Sequence, residues 1–158
     1  MKPKEQTWND TLPHGPLLCA LCMGNDKYVA PGQPFDQLNA CGNDAKTVAK
    51  KVRDLGGDRA HATLLSNLKD KAAMEKALKD FLSQIRQPPR TVLVYFSGHG
   101  LQEGDKIFLV PTGASPSNVH ELQEQCLSHD DVFRILKKDL EDRPLPDQGE
   151  RIFFEPLL

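Results

Sequence analysis

The amino-acid sequence predicts an α/β fold with a mainly parallel central sheet. Short apolar runs alternate with segments of helical periodicity, in the order strand–helix–strand–helix–strand and then helix–strand. Residues 17–23 are apolar without interruption, which is typical of a strand buried on both faces of a sheet. Residues 91–96 are an uninterrupted run rich in β-branched and aromatic residues, which is also typical of a strand. Glycine and proline residues separate the segments and mark the turns between them.

The first half of the chain contains one strand and one helix with clear boundaries. Gly24-Asn25-Asp26 stops the first apolar run, and a loop with Pro31-Gly32-Gln33-Pro34 follows it. Asn43 is the predicted N-cap of a helix that Gly56-Gly57 ends. The apolar positions that define the buried face of this helix are Ala45, Val48, Ala49, Val52 and Leu55.

The second half of the chain continues the alternation. The predicted elements are a strand at 61–65, a helix over about 70–85, strands at 91–96 and 107–110, a helix that Ser128 caps and that runs to Leu140, and a last strand that begins at 151–154. Residues 1–16 show no periodicity and are expected to form a flexible leader. The folded domain is therefore predicted at 17–158.

Composition restricts the partners and the compartment. The formal net charge of −2 provides no basic surface, so neither nucleic acid nor an anionic membrane is an expected partner. No apolar run reaches the roughly 20 residues that span a bilayer, and the polar N-terminus lacks the core of a signal peptide. The four cysteines are too few for a disulfide scaffold and indicate reduced thiols. We therefore expect a cytoplasmic protein.

Polar residues directly follow two of the predicted strands. Asn25 and Asp26 come after the first strand, and Ser97-Gly98-His99-Gly100 comes after the strand at 91–96. The carboxyl ends of parallel strands share one edge of a sheet, where ligands and catalytic groups gather. A histidine between two glycines at this edge is expected to be exposed and suited to general acid–base chemistry. The alternative is a turn histidine that only faces water.

Four segments of the chain resemble the caspase and metacaspase superfamily. They are Gly24-Asn25-Asp26-Lys27-Tyr28, Leu38-Asn39-Ala40-Cys41-Gly42-Asn43-Asp44-Ala45, Val94-Tyr95-Phe96-Ser97-Gly98-His99-Gly100 and Phe108-Leu109-Val110-Pro111. Their order and spacing are similar to those of the family's large catalytic subunit, over about 17–112 and more weakly to Phe154. The resemblance implies a three-layer caspase-like fold and a cysteine endopeptidase that works by a Cys–His dyad.

The resemblance also implies roles for individual residues. His99 falls on the catalytic histidine, and the backbone N–H of Gly100 falls on an oxyanion-hole donor. Asp26 and Ser97 are candidate substrate-binding residues, with Asp26 as an acidic pocket residue of the kind that selects basic side chains in metacaspases. For Asp26, a turn residue that makes an Asx-type bond is the preferred interpretation. The second acidic residue of the family precedes the catalytic cysteine, where Glu155 is a poor substitute, so the choice between basic and aspartate side chains stays open.

The nucleophile of the family is missing from this chain. Where the family continues in a sequence similar to Ile-Phe-Phe-Leu-Asp-Cys-Cys, this chain reads Ile152-Phe153-Phe154-Glu155-Pro156-Leu157-Leu158. Leucine cannot be deprotonated or form an acyl-enzyme, and Pro156 removes an N–H from an interior strand. We therefore expect a fold that is incomplete at the C-terminus, by truncation or a misplaced exon boundary, and a chain that is inactive alone.

The other cysteines are weaker candidates for chemistry. Cys41 matches a cysteine of many metacaspases that has been considered an accessory nucleophile, but packing is the preferred interpretation. Cys19 and Cys22 point to opposite faces of one strand, which is wrong for a redox or zinc pair. Cys19 is assigned to the core, Cys22 lies near enough to the strand's end to approach the site, and Cys126 is interpreted as a surface thiol.

The remaining histidines show no metal-ligand spacing. His14, His120 and His129 are expected to be solvated in loops, and His61 is expected to pack at the start of its strand.

Two hypotheses of function follow from these residues. The first is a caspase-type thiol endopeptidase of which this chain is an incomplete piece, and the second is a pseudoenzyme that binds protein partners through the same fold. A nucleotide-binding domain is disfavoured, because no glycine-rich phosphate loop follows the first strand. The resemblance implies polypeptide substrates or protein partners and no cofactor. Calcium activation, which occurs in some metacaspases, and the oligomeric state are left open.

Overall fold

The computed structural model describes residues 16–29, 31–86, 89 and 91–141. The elements in this part of the chain are β1 Leu18–Gly24, α1 Cys41–Gly56, a 3₁₀ turn Gly57–Arg59, β2 Ala60–Ser66, α2 Lys71–Gln84, β3 Thr91–Ser97, β4 Gly100–Glu103, β5 Lys106–Leu109, α3 Val119–Gln125, β6 Leu127–Ser128 and α4 His129–Glu141. The predicted leader except residue 16, the predicted strand at 151–154, His14 and Glu155 lie outside the described residues.

The first three strands form a parallel sheet in the order β2-β1-β3. The register runs from Leu18, opposite Ala60 and Thr91, to Gly24, opposite Ser66 and Ser97. Because β1 is the central strand, its side chains are buried on both faces, as its continuous apolar run predicted. The predicted α/β class with a mainly parallel sheet is confirmed.

Helices cover both faces of this sheet and give a three-layer arrangement. The face of β1 that carries Ala20 and Cys22 packs against α1. The opposite face, with Cys19, Leu21 and Met23, packs against α2 and α4. The two cysteines of the Cys-x-x-Cys pair therefore lie in different halves of the core, which confirms that their spacing does not make a site.

A small antiparallel sheet, which the sequence pattern did not predict, stands beside the parallel one. Its order is β4-β5-β6, with Gly100 opposite Leu109 and Phe108 opposite Ser128. The predicted strand at 107–110 is the middle strand of this sheet. The polar strand β4 and the short polar helix α3 were missed because neither carries an apolar pattern of its own. They acquire their structure by covering the buried Phe108.

Two predictions on single residues of this region are wrong. Cys126 is a fully buried thiol and not a surface one, because it packs with Phe108 and Leu122 between β5 and α3. His129 is half-buried and not solvated, because its Nδ1 accepts a hydrogen bond of 3.1 Å from the Ile107 N–H. His129 thereby fastens the start of α4 to β5.

The N-terminal cap of α4 agrees with the sequence prediction, and that of α1 does not. Asp70 caps α2, and the Ser128 hydroxyl accepts the Asp131 N–H at 3.1 Å, as predicted for α4. The predicted N-cap Asn43 is wrong, because α1 begins two residues earlier, at Cys41. Leu55, which was placed on the buried face of α1, is 67% exposed in its last turn.

The carboxylate of Asp131, on α4, makes the free energy of unfolding depend on pH in the acid range. Partial burial acts to raise its pKa, but hydrogen bonds from Arg134 and Ser128 and the nearby charge of Lys71 outweigh burial and lower the pKa to about 2. The Lys71 Nζ lies 3.3 Å from a carboxylate oxygen of Asp131 and so joins α2 to α4. A carboxylate whose folded pKa lies below its ordinary value of 3.8 stabilises the fold fully above that value, and this contribution is lost as the pH falls through about 2.

We expect Asp131→Asn to lower the free energy of unfolding by about 1–2 kcal/mol at pH 7, after allowance for solvent screening, and by much less at pH 2. Urea unfolding at pH 7, 4 and 2 measures this difference. The control is Asp80→Asn, in an exposed pair with Lys76 on α2, which should cost less than about 0.5 kcal/mol at each pH. An equal loss of stability for Asp131→Asn at pH 7 and pH 2 would contradict the assignment.

Candidate active site

The carboxyl ends of β1 and β3 lie side by side, as the sequence predicted. Gly24 is opposite Ser97 in the register, and the Asn25 N–H donates to the Ser97 carbonyl at 2.8 Å. This pairing brings Asn25 and Asp26, which follow β1, next to His99, which follows β3. The two polar segments identified in the sequence therefore form one cluster at one edge of the sheet.

The imidazole of His99 packs against two aromatic rings. Its centroid lies 4.6 Å from that of Tyr28 in an edge-on arrangement and 5.2 Å from that of Phe35. His99 is half-buried, so the expectation of an exposed histidine is wrong. The loop after β1 brings Phe35 over the imidazole, a contact between residues far apart in sequence that no local pattern indicates.

The main chain of Asp36 fixes which nitrogen of His99 carries the proton. The Nε2 atom of His99 lies 2.8 Å from the Asp36 carbonyl oxygen. Since a carbonyl only accepts hydrogen bonds, we assign the proton of the neutral imidazole to Nε2, which leaves Nδ1 as the acceptor. Within the described part of the chain, the hydrogen bonds and ring contacts of His99 involve none of the cysteines.

The main chain around His99 is also fixed. The His99 N–H donates to the Tyr28 hydroxyl at 3.0 Å, and the His99 carbonyl accepts from the Val110 N–H at 3.0 Å. In an antiparallel ladder hydrogen-bonded pairs alternate with non-bonded ones, so the next pair, Gly100 and Leu109, is a non-bonded one. The Gly100 N–H therefore points away from β5, and Gly100 is exposed.

Asp26 attaches the start of α1 to the end of β1. Its two carboxylate oxygens accept hydrogen bonds of 2.8 Å from the N–H groups of Cys41 and Gly42. These bonds satisfy two orphan donors of the helix N-terminus and place a negative charge at the positive end of its dipole. The Asx-type turn considered for Asp26 is therefore not its main interaction. Gly24 permits this close approach, since a Cβ there would lie 2.4 Å from the Cys41 carbonyl oxygen.

A sequence model of the caspase domain family matches residues 18–154, which is more than half of the chain. The chain belongs to the caspase domain family. The resemblance drawn from the four sequence segments is thereby confirmed, and with it the expected fold. Comparison with curated protein sequences gives no match.

The caspase domain family is a family of peptidases, so polypeptides are the class of molecule on which its members act. These peptidases need no cofactor. Within the described residues, no group of three or more His, Cys, Asp and Glu side chains is arranged to hold a metal ion. A search of the same residues finds no helix with the length and apolar character needed to cross a bilayer.

Cys41 lies at the site of this caspase domain but is held as a thiol. A helix N-terminus ordinarily lowers the pKa of a thiol. Here burial raises the pKa of Cys41, the charges of Asp26 and Asp44 act in the same direction, and a hydrogen bond with Ser97 only partly offsets them. Because Asp26 already compensates the helix dipole, little remains of it to stabilise a thiolate, and this favours the packing interpretation of Cys41.

Of three further residues considered in the sequence, one lies at the site and two are packed in the interior. The Ser97 hydroxyl donates to an Asp44 carboxylate oxygen at 3.2 Å, beside Cys41. Cys22 is not brought to the surface of the site, since it is fully buried between β1 and α1, where burial raises its pKa. His61 is half-buried, and desolvation with the charge of Arg53 lowers its pKa to about 4, in agreement with a packed histidine.

Three polar residues at this edge received no structural role in the sequence analysis. The fully buried Asn25 accepts from the Leu68 N–H at 2.9 Å and donates to the Val110 carbonyl at 3.3 Å. Asn67, with a positive φ of 53°, accepts from the N–H groups of Asp26 and Lys27 at 3.0 Å each. The third is Tyr28. The sequence signal that could have identified these residues is an amide or hydroxyl side chain within a few residues of a buried strand, where backbone groups need hydrogen-bond partners.

We expect Asp26→Asn to activate the Cys41 thiol. The amide removes a negative charge beside Cys41 and turns one acceptor of the helix N–H groups into a donor, so the pKa of the thiol falls. The rate of alkylation of Cys41 by iodoacetamide at pH 8 should rise several-fold, as measured residue by residue with mass spectrometry. Asp58→Asn, an exposed aspartate in the 3₁₀ turn, is the matched control.

Cys126 serves as the internal reference in this experiment, because burial raises its pKa to about 11. A rise of alkylation shared equally by Cys41 and Cys126 would mean that the variant opens the whole fold. Such a result, or no rise at Cys41, would contradict the electrostatic role of Asp26.

Proposed function

We propose that this caspase domain is the histidine-bearing part of a cysteine-type endopeptidase that works by a Cys–His dyad. The orientation of His99 carries the proposal: Nε2 is bonded to the Asp36 carbonyl, and Nδ1 is left as a base. In a dyad, this nitrogen takes the proton of the thiol as the sulfur bonds to the scissile carbonyl carbon. The proton then passes to the departing amine as the C–N bond breaks, and water hydrolyses the thioester.

We assign the backbone N–H of Gly100 to the oxyanion of the tetrahedral intermediate. Its direction away from β5 supports this role, because a donor already bonded within the hairpin could not serve. Asp26 and Ser97 are proposed to contact the substrate at the same end of the sheet. Asp26 and Asp44 make this end acidic, which favours a basic side chain of the substrate, as in metacaspases, over aspartate.

The chain is proposed to be inactive alone, because none of its cysteines suits the part of the nucleophile. All four are buried and none forms a disulfide, and burial raises the pKa of Cys22, Cys41 and Cys126. Cysteines that form no disulfide also support a cytoplasmic location. We further propose that the caspase domain extends from residue 17 to 158 and follows a leader at 1–16.

A second candidate function is that of a caspase-like pseudoenzyme that binds protein partners. The raised pKa values of Cys22, Cys41 and Cys126 favour this candidate, because a domain without an activated thiol can still bind polypeptides through the same fold. This candidate is favoured if His99 has no effect on the labelling of a variant in which the family's cysteines are restored.

The decisive variant restores the family's sequence with Glu155→Leu, Pro156→Asp, Leu157→Cys and Leu158→Cys together. We expect a chloromethyl ketone peptide ending in arginine to alkylate one of the two new cysteines. Adding His99→Ala should slow this labelling by at least about 10-fold, since a positioned base contributes on the order of 100-fold or more. The control His120→Ala, an exposed histidine on α3, should leave the rate unchanged.

The unsubstituted chain should not cleave fluorogenic peptides ending in Arg, Lys or Asp. Cleavage that His99→Ala abolishes would contradict inactivity while supporting His99 as the base. Labelling of the restored variant that is the same with and without His99 would contradict the dyad.

A further inference from the structure

The hydroxyl group of Tyr28 fills a gap in the hydrogen-bond ladder that begins the β4–β5 hairpin. Gly100 is opposite Leu109, so His99 and Val110 form the preceding pair. In a hydrogen-bonded antiparallel pair, each residue donates its N–H to the carbonyl of the other. Here only one of the two bonds is direct, from the Val110 N–H to the His99 carbonyl at 3.0 Å.

The second bond of this pair runs through Tyr28. The His99 N–H donates to the Tyr28 hydroxyl at 3.0 Å, and the hydroxyl donates to the Val110 carbonyl at 2.9 Å. One hydroxyl thus acts as acceptor and donor between two backbone groups that would otherwise bond to each other. The result is a closed ring of three hydrogen bonds that contains the main chain of His99.

The surroundings of Tyr28 hold its hydroxyl in this gap. Tyr28 is 3% exposed and packs with Phe108 and Val110. A Cβ at Gly98 would lie 2.7 Å from the hydroxyl oxygen, so the glycine before His99 leaves the space that the hydroxyl occupies. Burial raises the pKa of Tyr28 to about 12, against hydrogen bonds with His99 and Asn25, so the hydroxyl keeps the proton that it donates.

We propose that Tyr28 is a positioning residue for His99, whose hydroxyl fixes the His99 main chain while its ring fixes the imidazole. The ring of Tyr28 stands edge-on to the imidazole on one side, and Phe35 lies on the other. With main chain and ring both held, Nε2 meets the Asp36 carbonyl and Nδ1 is left as the acceptor. The use of that acceptor in catalysis rests on the proposed function, whereas the positioning itself does not.

The test compares Tyr28→Phe with Tyr95→Phe, the same chemical change at the other of the two tyrosines in the chain. Phenylalanine at position 28 keeps the ring, which holds the two backbone segments apart, and leaves the His99 N–H without an acceptor. We expect hydrogen exchange of the His99 amide to become at least 10-fold faster, while the amides of β1 change by less than 2-fold. The ¹⁵N shifts of the His99 ring should also move towards those of a solvated imidazole.

Two results of this comparison would overturn the proposal. Exchange and ring shifts of His99 that are the same in Tyr28→Phe and Tyr95→Phe would show that the hydroxyl does not position it. Faster exchange shared equally by His99 and the amides of β1 would show that the hydroxyl supports the whole fold and not this residue.

If Tyr28→Phe does not fold, the unsubstituted protein decides the question. We expect a slowly exchanging Tyr28 hydroxyl proton with a nuclear Overhauser effect to the His99 amide, and absence of that resonance would overturn the proposal. None of these measurements requires peptidase activity. In the restored variant, labelling that depends on His99 but not on Tyr28 would contradict the positioning role alone and leave the proposed dyad intact.

Discussion

Backbone N–H and C=O groups at the ends of parallel strands have no further ladder partners, and in this protein side chains that follow β1 supply them. Asn25 bonds the Leu68 N–H and the Val110 carbonyl, and Asp26 takes two N–H groups at the start of α1. Tyr28 bridges the β4–β5 hairpin. A buried polar group without a hydrogen-bond partner costs about 1–3 kcal/mol. In the described part of the chain, every buried side-chain N or O atom has such a partner. The placement of α1 and of the small sheet therefore depends on this short segment.

The same bonds determine what the site can do. Tyr28 and Val110 fix the main chain of His99, and Phe35 and the Asp36 carbonyl fix its ring. A histidine held in this way loses little freedom when it meets a substrate, which is how positioning contributes to catalysis. By contrast, the thiol of Cys41, which lies at the same edge of the sheet, is kept protonated because burial and the charges of Asp26 and Asp44 raise its pKa. In the proposed dyad His99 is the base, and burial raises the pKa of Cys22, Cys41 and Cys126 and so disfavours each of them as the nucleophile.

The extent to which the fold and site could be predicted depends on sequence distance. The apolar run of β1 and the position of His99 between two glycines at a strand end are local patterns, and both located their elements correctly. The N-cap of α1 could not be predicted from Asn43, because the capping carboxylate of Asp26 comes from another element. Burial of Cys126 and packing of His99 likewise depend on contacts with residues distant in sequence. Periodicity identifies elements, and it contains no information on such pairings.

The tautomer of His99 in the unsubstituted protein tests the central claim most directly. Long-range ¹H–¹⁵N correlation spectra at about pH 8.5, where an ordinary histidine is neutral, distinguish the two ring nitrogens. The bond from Nε2 to the Asp36 carbonyl predicts a protonated Nε2 and an unprotonated Nδ1. A proton on Nδ1, or rapid averaging between the two nitrogens, would contradict a base held ready by the fold.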